Sequence, residues 1–290
     1  MGNLQTDESR ASSRATGRAT SATSKPLRAA LFVTCLADSF YPDVGKSVVG
    51  VLRALGVEVT FPEGQTCCGQ VTFNSGYWAD TKAAAKRFIE VFEHEEYVVM
   101  PSGSCASMVR EQYPQLLDGE PGWADRALST AARVYEFSEF LVKVVGLEKI
   151  HATYHGTATY HTSCHMTRQL QVVDEPLAVL SRVNGLQLVP LRNNQDCCGF
   201  GGTFSVKLPE VSAAMADEKL QHMAETKADF VIASDLGCMM HLTGRAARQT
   251  HAGATPSSSV TPSSSLTPSA SSAPLPMKHV AQVLAEGGLV

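Results

Sequence analysis

Residues 196–204 read "DCCGFGGTF": two adjacent cysteines, then three glycines in four positions. Residues 66–73, "TCCGQVTF", repeat the pattern. Each pair stands between two further cysteines. The first set is Cys35, Cys67, Cys68 and Cys105, and the second is Cys164, Cys197, Cys198 and Cys238. Matching cysteines are offset by 129, 130, 130 and 133 residues. A shared order at nearly constant offset marks a duplicated domain.

The intervening sequence alternates between two periods. Short apolar runs at 27–34, 57–61 and 97–101 read as strands. Stretches 40–56 and 78–95 have helical period, and the first ends at Gly56. The second half reads the same way, with strands at 157–161, 186–191 and 229–234 and helices at 174–183 and 209–228. Strand–helix alternation predicts an α/β fold of two related Rossmann-like halves with parallel sheets.

Every cysteine lies just after a predicted strand. Parallel α/β sheets bind ligands beyond the carboxyl ends of their strands. Loops leaving three strands would therefore gather four thiols in each half. Gly69 and Gly199 would let the backbone approach whatever the thiols hold.

Bulk properties narrow the function. The 290 residues are 44% hydrophobic and 18% charged, as expected of a soluble globular protein. The net charge of −4 argues against nucleic-acid binding. No apolar run is long enough to span a membrane. The first residues show no secretory h-region, so the expectation is a reducing, cytoplasmic setting rather than a disulfide framework. Residues 1–26 read as a disordered leader. Neither a transit peptide, opposed by Asp7 and Glu8, nor a loose myristoylation pattern at Gly2 outweighs that reading. The Ser/Pro/Thr-rich stretch 250–276 reads as a disordered insertion, and 277–290 as a C-terminal helix. The two domains are expected at 27–148 and 149–290.

Buried apolar packing would explain one or two cysteines, but not two matched sets. Thiolate donors favour iron–sulfur or zinc. Zinc sites usually space their ligands as C-x2–4-C, which is absent, so iron–sulfur ranks first and zinc second. "GFGGTF" has Phe204 at the third glycine place of a dinucleotide fingerprint, which removes that reading. His161 and His165 flank Cys164 and could join a metal site, although single histidines at a strand end are more often structural. A Cys–His nucleophile would leave seven thiols unexplained.

The stretches "FVTCLADSFYPDVG", "FPEGQTCCGQVTFNSGY", "PSGSC", "YHTSCH", "DCCGFGGTFSVKLPEVSAAMADEKL" and "DLGCMMHLTGR" resemble the cysteine-rich CCG domain of the heterodisulfide reductase B subunit and the glycolate oxidase iron–sulfur subunit. The closer resemblance is to the lactate utilization protein A family, over most of 28–248 and the tail from 277. It implies a cytoplasmic iron–sulfur electron carrier, acting with two partner subunits in a system that oxidises L-lactate to pyruvate. The chain would be an oxidoreductase subunit that is not catalytic alone. In heterodisulfide reductase each motif ends in C-x-x-C and supplies five thiols. Here Ser102 and Asp235 hold the first place of those pairs, which leaves four. The resemblance thus implies eight thiol ligands, with a 4Fe–4S cluster expected and zinc open for one half.

Overall fold

The structure is a computed structural model and describes residues 26–253 and 275–290. The expectations for the leader and for 254–274 lie outside the described residues.

Two four-stranded sheets share one topology. The first contains β1 (Arg28–Leu31), β2 (Glu58–Thr60), β3 (Val98–Met100) and β4 (Val134–Glu136), in the order β2-β1-β3-β4. The second contains β5 (Ala152–His161), β6 (Val183–Val189), β7 (Phe230–Ala233) and β8 (Met277–His279), in the order β6-β5-β7-β8. All the pairings are parallel. The α/β duplication expected from the repeat is the fold observed.

The central strands are buried on both faces, which is why they read as unbroken apolar runs. All of β3 and all of β7 is buried. Helices cover the faces. In Pro42–Ala54 the residues Val44, Val48, Val51 and Leu52 make one buried stripe, and Pro42 sits in its first turn. In Trp78–Phe92 the stripe is Ala85, Phe88, Ile89 and Phe92.

Several boundaries move. The helix expected over 40–56 breaks at Tyr41, and a separate short helix, Cys35–Phe40, precedes it. Pro42 cannot donate to the preceding turn, so a new helix starts there. The strand expected at 186–191 starts earlier, at Val183, through Asn184 and Gly185. The tail expected as a helix begins as β8, because the open edge of β7 takes Met277–His279 as a fourth strand. The helix Leu236–Gly253 continues into the first residues of the expected insertion.

The largest apolar core crosses between the halves. It joins Leu31, Val48 and Phe140 to Tyr160, Ile232 and Leu284. The two sheets are therefore packed as one body.

Candidate metal centre

Each quartet forms beyond the carboxyl ends of the first three strands of its sheet. Cys35 opens the helix after β1, and Thr34 caps that helix with its side chain. Cys67 and Cys68 lie in the loop after β2, and Cys105 in the short helix Gly103–Ser107 after β3. The four cysteines of the second half occupy the equivalent loops after β5, β6 and β7. These loops flank the point where the chain leaves the central strand in opposite directions, the usual ligand position of such sheets.

The sulfurs meet. Cys35 Sγ is 3.7 Å from Cys67 Sγ, and Cys68 Sγ is 3.5 Å from Cys105 Sγ. In the second half Cys198 Sγ is 3.2 Å from Cys238 Sγ, and Cys164 and Cys197 are near enough to shift each other's ionisation. None of the eight is in a disulfide. Burial is graded. Cys68, Cys105, Cys198 and Cys238 are buried, Cys67, Cys164 and Cys197 are partly open, and Cys35 is exposed. Each quartet thus has a buried floor and a solvent-facing edge.

Glycine shapes both loops. Gly69 and Gly199 have φ of +81° and +89°, in the left-handed region that favours glycine. This turn points each backbone N–H at a thiol, to Cys67 Sγ and to Cys197 Sγ, both at 3.4 Å. Below the first loop, Tyr113 donates its hydroxyl to the Cys68 carbonyl at 2.8 Å.

The electrostatics of the quartets are those of crowded, coupled thiols. Hydrogen bonds from Cys35 and Cys68 push Cys67 down to about 2. Cys197 reaches about 2 by the matching bonds from Cys164 and Cys198. The donors move the other way. Cys35 is raised by its bond to Cys67, then by burial and by neighbouring thiolate charge, and Cys68 is raised by its bonds to Cys105 and Cys67 and then by burial. One thiolate forms readily in each quartet, and further ionisation is opposed by crowding. A bound cation removes that opposition, so the donor set fits a metal or iron–sulfur group.

The two sites meet at the junction of the sheets. Asp235 Oδ2 accepts the Ser104 N–H at 2.7 Å and the Ser102 hydroxyl at 3.2 Å. Its Oδ1 accepts from the N–H groups of Gly237 and Cys238, at 3.0 and 3.2 Å. The Gly103 N–H donates to the Ser234 carbonyl at 3.2 Å. Ser75 Oγ donates to Thr203 Oγ1 at 3.0 Å, tying together the stretches that follow the two CCG motifs. The loops bearing Cys105 and Cys238 are thus hydrogen-bonded to each other.

The structure brings together all four thiols expected in each half. It also places His161 beside Cys198 and Cys238, with the ligand atoms of all three within 4.8 Å of one another. Sequence spacing had given His161 no more weight than His165. The signal available was its place three residues before Cys164, where the first half has Phe32.

The cysteine-rich domain family (CCG) matches residues 29–110 and 158–243, one match for each sheet. Lactate utilization protein A of Geobacillus kaustophilus (strain HTA426) is 52% identical over 222 residues, covering 77% of this chain and 92% of that protein. The chain belongs to the lactate utilization protein A family. A second relative in the lactate utilization protein A family, from Bacillus subtilis (strain 168), is 52% identical over 223 residues, 77% of this chain and 93% of its own length. A crystal structure of a hypothetical protein from Helicobacter pylori shares the fold at TM-score 0.63 and 10% identity. That match covers 91% of this chain but only 49% of the larger one. Among the described residues no helix is long and apolar enough to cross a membrane.

Proposed function

We propose that this chain is an iron–sulfur electron-transfer component of a system that oxidises L-lactate to pyruvate. The observation carrying the reading is the pair of thiol quartets, set at the same end of two equivalent sheets and linked through their loops. Kinship with proteins named for lactate utilization supplies the system. An iron–sulfur cluster, here a 4Fe–4S group with four thiolates, supplies one-electron transfer when bound. The chain's own part is to hold and tune it. The eight cysteines are the ligands, and the Gly69 and Gly199 N–H groups stabilise negative charge on sulfur. The open edges, at exposed Cys35 and half-buried Cys164, face the partners. Electron transfer needs no lactate pocket here, so lactate binds on one of two partner subunits. Eight free thiols suit a reducing cytoplasm.

A zinc-stabilised assembly subunit is the second reading, and the sulfur contacts favour it. Thiolates sharing one tetrahedral zinc with Zn–S bonds of ~2.3 Å lie about 3.7 Å apart. The observed separations of 3.2–3.7 Å are close to that. Metal analysis and an optical spectrum of anaerobically purified protein separate the two.

The deciding assay is anaerobic oxidation of L-lactate with an artificial electron acceptor. The chain alone should be inactive, and activity should appear when its partner subunits are added. Replacing Cys197 and Cys198 by Ser should abolish that activity. Turnover by the purified chain alone would place the lactate site on it and end the carrier reading.

A further inference from the structure

The two halves match loop for loop, but one buried position near the thiols differs in chemistry. Three residues before Cys35 stands Phe32, and three residues before Cys164 stands His161. Phe32 follows the last residue of β1, and His161 is the last residue of β5. Phe32 is an ordinary core residue. It packs edge-on against Phe88 and Phe92, with ring centroids 5.0 and 5.7 Å away.

His161 is as deeply buried, at 1% exposure, but neither of its ring nitrogens has a hydrogen-bond partner among the described residues. A buried polar group without a partner destabilises the fold, because it loses its hydrogen bonds to water and gains none in return. A phenylalanine would avoid that cost, as it does in the first half. The imidazole lies instead beside two buried thiols, with its ligand atom and those of Cys198 and Cys238 within 4.8 Å of one another. Neutral imidazole with thiolates is a common donor set for zinc and occurs in iron–sulfur centres of the Rieske type.

Asp235 is also near this site, and its carboxylate is already engaged. Each of its oxygens accepts two hydrogen bonds, from Ser102 and Ser104 on one side and from Gly237 and Cys238 on the other. It is a clamp between loops with no free ligand position.

We propose that His161 is a ligand of the metal group held by Cys198 and Cys238, which makes the two sites chemically unequal. The inference rests on the reading of the thiols as metal ligands given above. The first site is then all-thiolate, while the second carries a neutral nitrogen donor. A neutral donor stabilises the reduced state, so an iron–sulfur group in the second half has the higher reduction potential. An electron entering through the first half would come to rest in the second.

X-ray absorption at the metal edge tests this with either metal. The samples are the metal-loaded full chain and full chains carrying Cys67→Ser with Cys68→Ser, His161→Phe or His165→Gln. The wild-type chain and the chain with Cys67 and Cys68 replaced should both show outer-shell scattering from a coordinated imidazole. His161→Phe should abolish it, and should lower the potential of the second site toward that of the first. His165→Gln should leave it intact, although His165 Nδ1 is 3.7 Å from Cys164 Sγ. A sulfur-only shell in metal-containing wild-type chain overturns the proposal and leaves the metal reading standing. So does an imidazole signal that survives His161→Phe. Failure of the wild-type chain to bind any metal overturns both. If His161→Phe does not fold, His161→Gln, which keeps a polar side chain at the position, carries the same test.

Discussion

Ser102 and Asp235 hold equivalent places in the two halves, and they are hydrogen-bonded to each other at 3.2 Å. The duplication has thus placed its own matched residues face to face. Asp235 gains most from the contact, since it gathers three backbone N–H groups and one hydroxyl. Orphaning a buried donor costs about 1–3 kcal/mol. Asp235→Ala should therefore lower stability by several kcal/mol, seen as a clear drop in the urea midpoint. A shift within experimental error would show that the clamp is not needed.

The matched but separate quartets predict independent loading. Replacing Cys67 and Cys68 by Ser should remove about half of the bound metal and leave the second site filled. Metal counted per chain after anaerobic reconstitution is the measurement. Loss of all metal, or of none, contradicts two sites.

Gly69 and Gly199 look alike in sequence but should respond differently to substitution. A Cβ on Gly69 would meet Thr81 Cγ2 at 3.3 Å, a side chain able to yield slightly. A Cβ on Gly199 would meet the Ser212 carbonyl oxygen at 2.6 Å, which is backbone of the long helix Pro209–Glu225. Both changes carry the left-handed penalty of about 1–2 kcal/mol. Only Gly199→Ala must also move a helix. It should lose metal from the second half, while Gly69→Ala retains both sites. Equal metal retention by the two variants would refute the distinction.

Stability should depend on pH through Glu136. Its side chain is fully buried, and burial raises its carboxyl from 4.5 to about 8. Between those values the folded chain keeps a proton that the unfolded chain releases, so stability declines as pH rises across the window. The slope from this group is at most about 1.4 kcal/mol per pH unit. Its contribution is complete below 4.5 and gone above 8. Glu136→Gln keeps an oxygen for the N–H groups of Ser138 and Glu139, which Glu136 Oε2 now accepts at 2.7 and 3.2 Å. The variant should flatten the decline. Denaturant titrations between pH 5 and 8 would show an unchanged slope if Glu136 is not its source.

The repeat was legible because thiols are rare enough for four offsets to stand out, and because β1, β3 and β7 are short apolar runs wherever they occur. What escaped was set by tertiary contact. Val134–Glu136 is a three-residue strand whose only warrant is the exposed edge of β3. Met277–His279 becomes a strand for the same reason on β7, against the helical pattern of the residues after it. Asn184 and Gly185 look like a turn, yet Asn184 pairs with Thr153 within β6, and Gly185 takes φ +83° at an irregularity of the ladder. At the metal centre, the thiol positions could be placed from sequence. The bond between Ser102 and Asp235 could not, because no period connects residues that meet only when two sheets pack together.

The helix Val280–Leu284 packs on Pro42–Ala54 as well as on its own sheet, and Val290 lies beside Gly50. The ribosome therefore releases this cover long after the first half that it packs on. Until then the apolar stripe of Pro42–Ala54 is covered only by its own half, through Ala29, Leu31 and Val57. The core shared by the two halves is thereby completed by a late, long-range closure of the chain, and the nascent first half carries open apolar surface until that closure.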